Sequence, residues 1–194
     1  MMKKKVIYLI GSGGHAKVII DILLNYKIKI NKIISKKKTR DKFFERYDFI
    51  YEKDFVYDAY KKKINFYLGI GSTYNMRDRL KIINRYSKLK INFEKVISKS
   101  AIVSESSMVS SGTHILNNSI IGPSSKIGEN CIINSGAIIE HDVTIGSNCH
   151  IAPGAVVLGG AYIGSNTFIG SNSTIVQATK INDNSFIKAG KIIK

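Results

Sequence analysis

Counted in sixes from Ala101, the chain carries a β-branched residue at the third place of every block to Ile193. The blocks read AIVSES, SMVSSG, THILNN, SIIGPS, SKIGEN, CIINSG, AIIEHD, VTIGSN, CHIAPG, AVVLGG, AYIGSN, TFIGSN, STIVQA, TKINDN, SFIKAG and KIIK. Sixteen successive third places hold only Val or Ile, and no inserted residue breaks the register. The first place is mostly Ala, Ser, Thr or Cys, and the fourth to sixth places are rich in Gly, Asn and Ser. A short strand and a turn in each block close one triangular coil with every third block. Each β-branched residue then points inward and stacks on its equivalent one coil on, at about the 4.8 Å strand spacing. Small first-place residues fit the tight corners, and Gly or Asn tolerates the turn conformations. The register predicts a left-handed parallel β-helix of about five coils. Its flat outer faces carry few charges, so a partner is expected to cover them.

The first hundred residues read differently. Val6 to Ile10 is a short apolar strand that runs into Gly11-Ser12-Gly13-Gly14-His15-Ala16. A helical pattern follows at Val18, Ile19, Ile22 and Leu23, with Asp21 and Asn25 on its polar side. Further apolar stretches lie at Ile28 to Ile34 and Ile64 to Ile70, and Asn75 to Leu89 reads as a basic helix. Strand, Gly turn, helix, strand predicts a small parallel α/β domain of Rossmann type. We divide the chain into residues 1–97 and 98–194 on this basis.

Gly11-x-Gly13-x-x-Ala16 fits the dinucleotide fingerprint in form. That fingerprint also wants an acid near the end of the second strand, where this chain has Ser35-Lys36-Lys37-Lys38, which argues against a nicotinamide or flavin cofactor. The Gly turn ahead of a helix remains a place for phosphate, because backbone N–H groups and the helix dipole converge there. A tight structural turn with no ligand is the other reading.

The formal net charge of +16 is confined to the first hundred residues. Residues 1–100 hold 25 Lys and Arg against 9 Asp and Glu, whereas residues 101–194 hold 5 of each. No RNA-binding aromatic motif or recognition-helix pattern accompanies the charge, so no nucleic-acid partner is expected. Solvated Lys-rich faces or an anionic small substrate explain it equally well. No apolar run reaches eighteen residues, and the N-terminal one is too short for a signal peptide, so a cytoplasmic protein without membrane insertion is expected. Cys131 and Cys149 occupy equivalent first places and read as small buried thiols.

One block of the β-helix departs from the bland pattern: Ala137-Ile138-Ile139-Glu140-His141-Asp142. His141 follows the inward Ile139 at a polar corner and lies between two carboxylates. Histidine suits the task of a general base, which takes a proton from an attacking amine or hydroxyl. A carboxylate on the far ring nitrogen fixes the tautomer, as in hydrolase triads. A solvated surface histidine is the competing reading. His150 and His114 both hold second places, two coils apart; His150 is expected to contact ligand and His114 to be structural. No metal site is expected, since neither histidine has convergent carboxylates.

Together, GSGGHAK at 11–17, GIGS at 69–72 and INSGAIIEHD at 133–142 resemble the NeuD/PglD-type bacterial sugar acetyltransferases, which join a Rossmann-like domain to a left-handed β-helix. That family includes UDP-4-amino-sugar N-acetyltransferases and sialic acid O-acetyltransferases, and the resemblance covers nearly the whole chain. It implies an acetyl-CoA-dependent homotrimer with active sites between subunits. His141 would be the general base and Asp142 the acid that tunes it. Asn134 and His150 would border the thioester, and Gly159, Ser171 and Ala189 would line the pantetheine path. Gly13, Gly14, His15 and Gly71 would bind the nucleotide or sugar. Where UDP-sugar members typically carry two aspartates this chain has Ser35 and Lys36, so Lys36 to Lys38 would face a carboxylate or phosphate there. The chain also stops at Lys194, without the Gly-x-Pro-Ala-type tail that often helps to hold CoA.

The acceptor expected first is a nucleotide-activated amino sugar for surface-glycan synthesis, acetylated on nitrogen. O-acetylation of a sialic-acid-like nonulosonate is the second expectation, and a non-catalytic scaffold for a glycan-synthesis partner is a third.

Overall fold

The computed structural model describes residues 6–37, 39–55, 64–72 and 76–194; Lys38, and Asn75 at the expected start of the basic helix, lie outside these. The chain forms two compact units, Met1–Gly71 with Lys81–Glu94 and Ser72–Leu80 with Lys95–Lys194.

In the first unit, β1 (Val6–Ile10), β2 (Lys32–Ser35), β3 (Asp48–Tyr51) and β4 (Ile64–Leu68) form a wholly parallel sheet in the order β3-β2-β1-β4. The crossover from β1 to β2 runs through helix α1 (Gly14–Asn25), which buries Ala16, Ile19, Ile20, Ile22 and Leu23. Those positions recur at helical spacing on one stripe, which is why the segment is a helix and why that stripe faces the sheet. Helix α2 (Arg77–Lys88) follows β4.

Two elements differ from expectation. The apolar stretch from Ile28 pairs as a strand only from Lys32, because Ile28 N–H is taken by the Leu23 carbonyl at the end of α1. Asn31 then brackets Ile7, its side-chain Oδ1 accepting the Ile7 N–H at 2.8 Å and its own N–H donating to the Ile7 carbonyl at 2.9 Å. Strand β3 has no sequence signature: it is short, lies at the sheet edge, and has no buried residue.

The second unit is a left-handed parallel β-helix. Two-residue strands recur every six residues from Val96–Ile97 to Ile192–Ile193, and each pairs with the strand 18 residues on, as Ile132 does with His150 and His150 with Phe168. They build three sheets of five, six and six strands. The third-place residues from Ile115 to Ile181 pack into one buried core, with Cys131, Ala137, Cys149, Ala155 and Ala161 filling the first places beside them. Both cysteines are free thiols in this core.

The sixth place of every block from Gly112 to Gly190 is left-handed, with φ between 55° and 68°. Gly and Asn occupy most of these corners because they reach that region at least cost. Asp142 is an exception, at φ 60°.

Second-place residues form the outer faces. Val96, His114, Ile132 and His150 are buried on the first face, where Phe168 and Phe186 continue the column. The second face presents Ile102, Ile120, Ile138, Val156, Thr174 and Ile192, an apolar strip whose end residues Ile102 and Ile192 are 65% and 69% exposed. The third face is mixed, with Met108, Lys126, Thr144, Tyr162 and Lys180.

Candidate active site

The corner that leads off the apolar face carries His141 and Asp142. The left-handed backbone of Asp142 folds its carboxylate back on its neighbour, so that His141 Nδ1 donates to Asp142 Oδ2 at 2.8 Å. A carboxylate only accepts, which puts the ring proton on Nδ1 and leaves the Nε2 lone pair open. Both side chains are more than half exposed, at 56% and 63%, so the pair orients the ring more than it stabilises the fold. One coil on, Gly159 supplies the floor: a Cβ there would lie 2.6 Å from both His141 Cε1 and Nε2. The backbone is anchored through Asp142 N–H to the Pro123 carbonyl and Gly160 N–H to the His141 carbonyl.

The corner at the other edge of the apolar face holds a second group. Asn134 is half-buried there, and Ser171 and Ala189 occupy its later coils, Ser171 half-buried and Ala189 exposed. His150 is 7% exposed and held at both ring nitrogens, by Ser72 Oγ at Nδ1 (2.8 Å) and by Asn134 Nδ2 at Nε2 (3.0 Å). The ring of Phe168 meets it edge-on at 5.1 Å. The structure therefore joins His141 to Asp142 and Gly159 at one corner, and His150 to Asn134 at another. His114, two coils before His150 on the same face, is fully buried.

Nothing in the sequence marks Arg79, which is 1% exposed, donates from Nη2 to the Asn130 carbonyl at 3.1 Å, and has its pKa pushed down to about 10 by burial. Burial first, and then this cation, hold the His150 imidazole down to about 4, against a hydrogen bond to the Ser72 backbone that acts the other way. The unfolded chain takes up a proton at this histidine below about pH 6.5 and the folded chain does not until far lower, so stability is complete above that value and falls toward pH 4. The loss expected over that window is on the order of 3 kcal/mol. Melting midpoints measured from pH 7 to pH 4 check this: His150→Gln is expected to flatten the profile, and an equally steep one would assign the loss to other groups.

In the α/β unit, Gly13 caps α1 and Gly14 begins it, and a Cβ at either would meet nothing within 4 Å. The Gly11 N–H is taken by the Ile34 carbonyl at 2.8 Å, and no side chain caps the start of α1. Gly11 and Gly69 are instead packing positions, since a Cβ would fall 2.7 Å from Ile70 Cγ1 and 2.9 Å from Ala16 Cβ. His15 is half-buried against Gly71, where a Cβ would approach His15 Cβ to 3.0 Å. Ser35 reaches Ser12 across the turn, Oγ to Oγ 3.0 Å, and donates to the Lys37 carbonyl at 3.0 Å, while Lys36 is exposed. The sequence likewise carries no mark of the ion pair of Lys17 with Asp41, 2.5 Å long, in which Lys17 lies over the Phe43 ring. The hydrogen bond from Lys17, with that from the Phe43 N–H, holds the Asp41 carboxyl below its ordinary range.

Among the described residues no group of three His, Cys, Asp or Glu side chains could hold a metal ion, and no helix is long and apolar enough to cross a membrane.

Three family models match the chain: the PglD N-terminal domain at residues 6–86, the bacterial transferase hexapeptide (six repeats) at 124–159, and the hexapeptide repeat of succinyl-transferase at 160–194. No curated protein sequence matches it. Among solved structures it is similar to perosamine N-acetyltransferase from Caulobacter crescentus in complex with CoA and GDP-perosamine, at 24% identity over 97% of this chain and 88% of that one, with a TM-score of 0.86. It is also similar to the acetyltransferase domain of PglB from Neisseria gonorrhoeae in complex with acetyl coenzyme A, at 21% identity over 98% and 93%, with a TM-score of 0.81. At these identities the likeness is one of fold. A PglD N-terminal domain over residues 6–86 is thus followed by transferase hexapeptide repeats over 124–194, the domain order of the NeuD/PglD-type sugar acetyltransferases.

Proposed function

We propose that the protein transfers the acetyl group of acetyl-CoA to the amino group of a nucleotide-activated amino sugar, of the UDP-4-amino-sugar type, in bacterial surface-glycan synthesis. The observation that carries this reading is the His141 imidazole, fixed by Asp142 at Nδ1 and open at Nε2 above Gly159. The acceptor amine, already free of its ammonium proton, attacks the thioester carbonyl carbon. Nε2 takes the proton that the nitrogen sheds as the C–N bond forms. The C–S bond then breaks, and the CoA thiolate recovers the proton from the imidazolium. A backbone N–H on the coil stabilises the carbonyl oxygen as it gains charge.

Asn134, His150, Ser171 and Ala189 line the path of CoA, with Gly159 beneath the reacting end. In one chain these residues and His141 lie at opposite edges of the apolar face. A homotrimer that covers this face brings the corner of one copy to the opposite corner of the next, which favours a shared groove. Gly13, Gly14, His15 and Gly71 hold the nucleotide sugar, whose phosphates suit the start of α1, which no side chain caps.

Ser35 and Lys36 favour a second acceptor, a carboxylate-bearing sialic acid acetylated on oxygen. The test supplies acetyl-CoA with UDP- and GDP-linked 4-amino sugars, CMP-sialic acid and free sialic acid, and follows thiol release. Turnover with the amino sugars is expected; preference for the sialic compounds would overturn the choice of acceptor. Native mass is expected at three times the chain, and a fully active monomer would rule out the shared groove.

A further inference from the structure

Ser72 opens the segment Ser72–Leu80, which clusters with the coils, and its Oγ lies 2.8 Å from His150 Nδ1. The direction of that hydrogen bond is set from the far side of the ring. The Ser135 backbone N–H donates to Asn134 Oδ1 at 2.8 Å. An N–H can only donate, so the carbonyl end of the Asn134 amide faces Ser135 and Nδ2 is the end that meets His150 Nε2 at 3.0 Å. An amide nitrogen can only donate as well. Nε2 is therefore the lone-pair nitrogen of the ring, and the proton sits on Nδ1. Burial of the ring, and then the charge of the buried Arg79, disfavour a second ring proton. Ser72 Oγ consequently accepts from Nδ1–H, and its own hydrogen is left over. Among the described residues, no protein acceptor takes that hydrogen.

We propose that Ser72 is a ligand-contacting donor: the fixed tautomer of His150 frees its hydroxyl hydrogen for an acceptor oxygen of a bound substrate. The chemistry that fits is an oxygen with no hydrogen of its own, in a carbonyl, phosphate or carboxylate group. Acetyl-CoA and the nucleotide sugar both carry such oxygens, and the choice of these two as substrates rests on the acetyl-transfer reading above.

Two measurements on the full chain test the assignment. Nitrogen NMR of the imidazoles, with His150→Gln to identify the signals, is expected to show a protonated Nδ1 and a bare Nε2 at His150. The reverse tautomer would overturn the proposal without reference to any substrate. Calorimetric binding of CoA, acetyl-CoA and UDP- and GDP-linked 4-amino sugars is then compared for the wild type, Ser72→Ala and Ser72→Thr. Ser72→Ala is expected to weaken one class of ligand about tenfold, and Ser72→Thr, which keeps the hydroxyl, to restore it. A loss confined to CoA or acetyl-CoA assigns the contact to the donor, and a loss confined to the nucleotide sugars assigns it to the acceptor. Affinities all within about twofold of wild type would overturn the contact while leaving acetyl transfer intact. Failure of the wild type to bind any of the four would contradict the functional reading and this assignment together. Melting midpoints confirm that both variants are folded, and the wild-type NMR result decides the tautomer even where a variant is not.

Discussion

Replacing His141 with alanine is expected to lower acetyl transfer by about 10²–10⁴-fold, the range over which a positioned acid–base group contributes. The same change is expected to leave stability within about 0.5 kcal/mol, because the ring is more than half exposed and belongs to no part of the core. The two results together identify a base, since a structural histidine would lose stability along with activity. Asp142→Asn separates the roles further. Asparagine suits the left-handed corner at φ 60° and keeps the side-chain oxygen that receives Nδ1–H, but it removes the charge. Activity should therefore fall less than with His141→Ala, and the fold should not weaken. Turnover of the two variants under acetyl-CoA saturation, beside their melting curves, checks both statements.

Gly159→Ala is expected to be nearly as harmful although it removes no functional group. Its Cβ would stand 2.6 Å from two atoms of the imidazole and 3.2 Å from a third, Cδ2. The ring is the mobile end of a side chain, so it gives way and swings off the floor that positions it. A displacement of about 1 Å in a reacting group costs on the order of 10² in rate. The Gly159 backbone is not left-handed, so alanine is tolerated there by the chain itself. Gly160 is the matching control. A Cβ at Gly160 would meet nothing within 4 Å, but the backbone is left-handed at φ 68°. Gly160→Ala is therefore expected to cost about 1 kcal/mol of stability and to spare the imidazole. Measured kcat and melting midpoints should move in opposite patterns for the two neighbours. Equal effects on both quantities would mean that the ring does not depend on its floor.

What the chain reveals before folding depends on whether a feature repeats. The inward column from Val103 to Ile193 is visible because a strand that stacks on itself every 18 residues imprints its period on the sequence. The corner of His141 and Asp142 is visible because Glu140, His141 and Asp142 stand where the other blocks carry mostly Gly, Asn and Ser. The Gly turn before α1 is visible because phosphate-binding turns have a spacing of their own. Contacts made once, across a long stretch of chain, leave no such mark. Arg79 lies in a basic helix among Arg77, Lys81 and Arg85, and nothing in that run singles out the one guanidinium that is buried. Ser72 meets His150 across 78 residues, and Lys17 finds Asp41 beyond the next strand. The sequence accordingly suggests that His150 contacts ligand without showing that both of its nitrogens are already engaged by protein.

A crystal structure with CoA and an amino-sugar nucleotide bound tests the chemistry at its centre. The acceptor nitrogen is expected within hydrogen-bond reach of His141 Nε2, about 2.6–3.2 Å, with the CoA sulfur beside the same corner. An imidazole turned to solvent, with CoA seated at a corner away from it, would contradict the role given to His141.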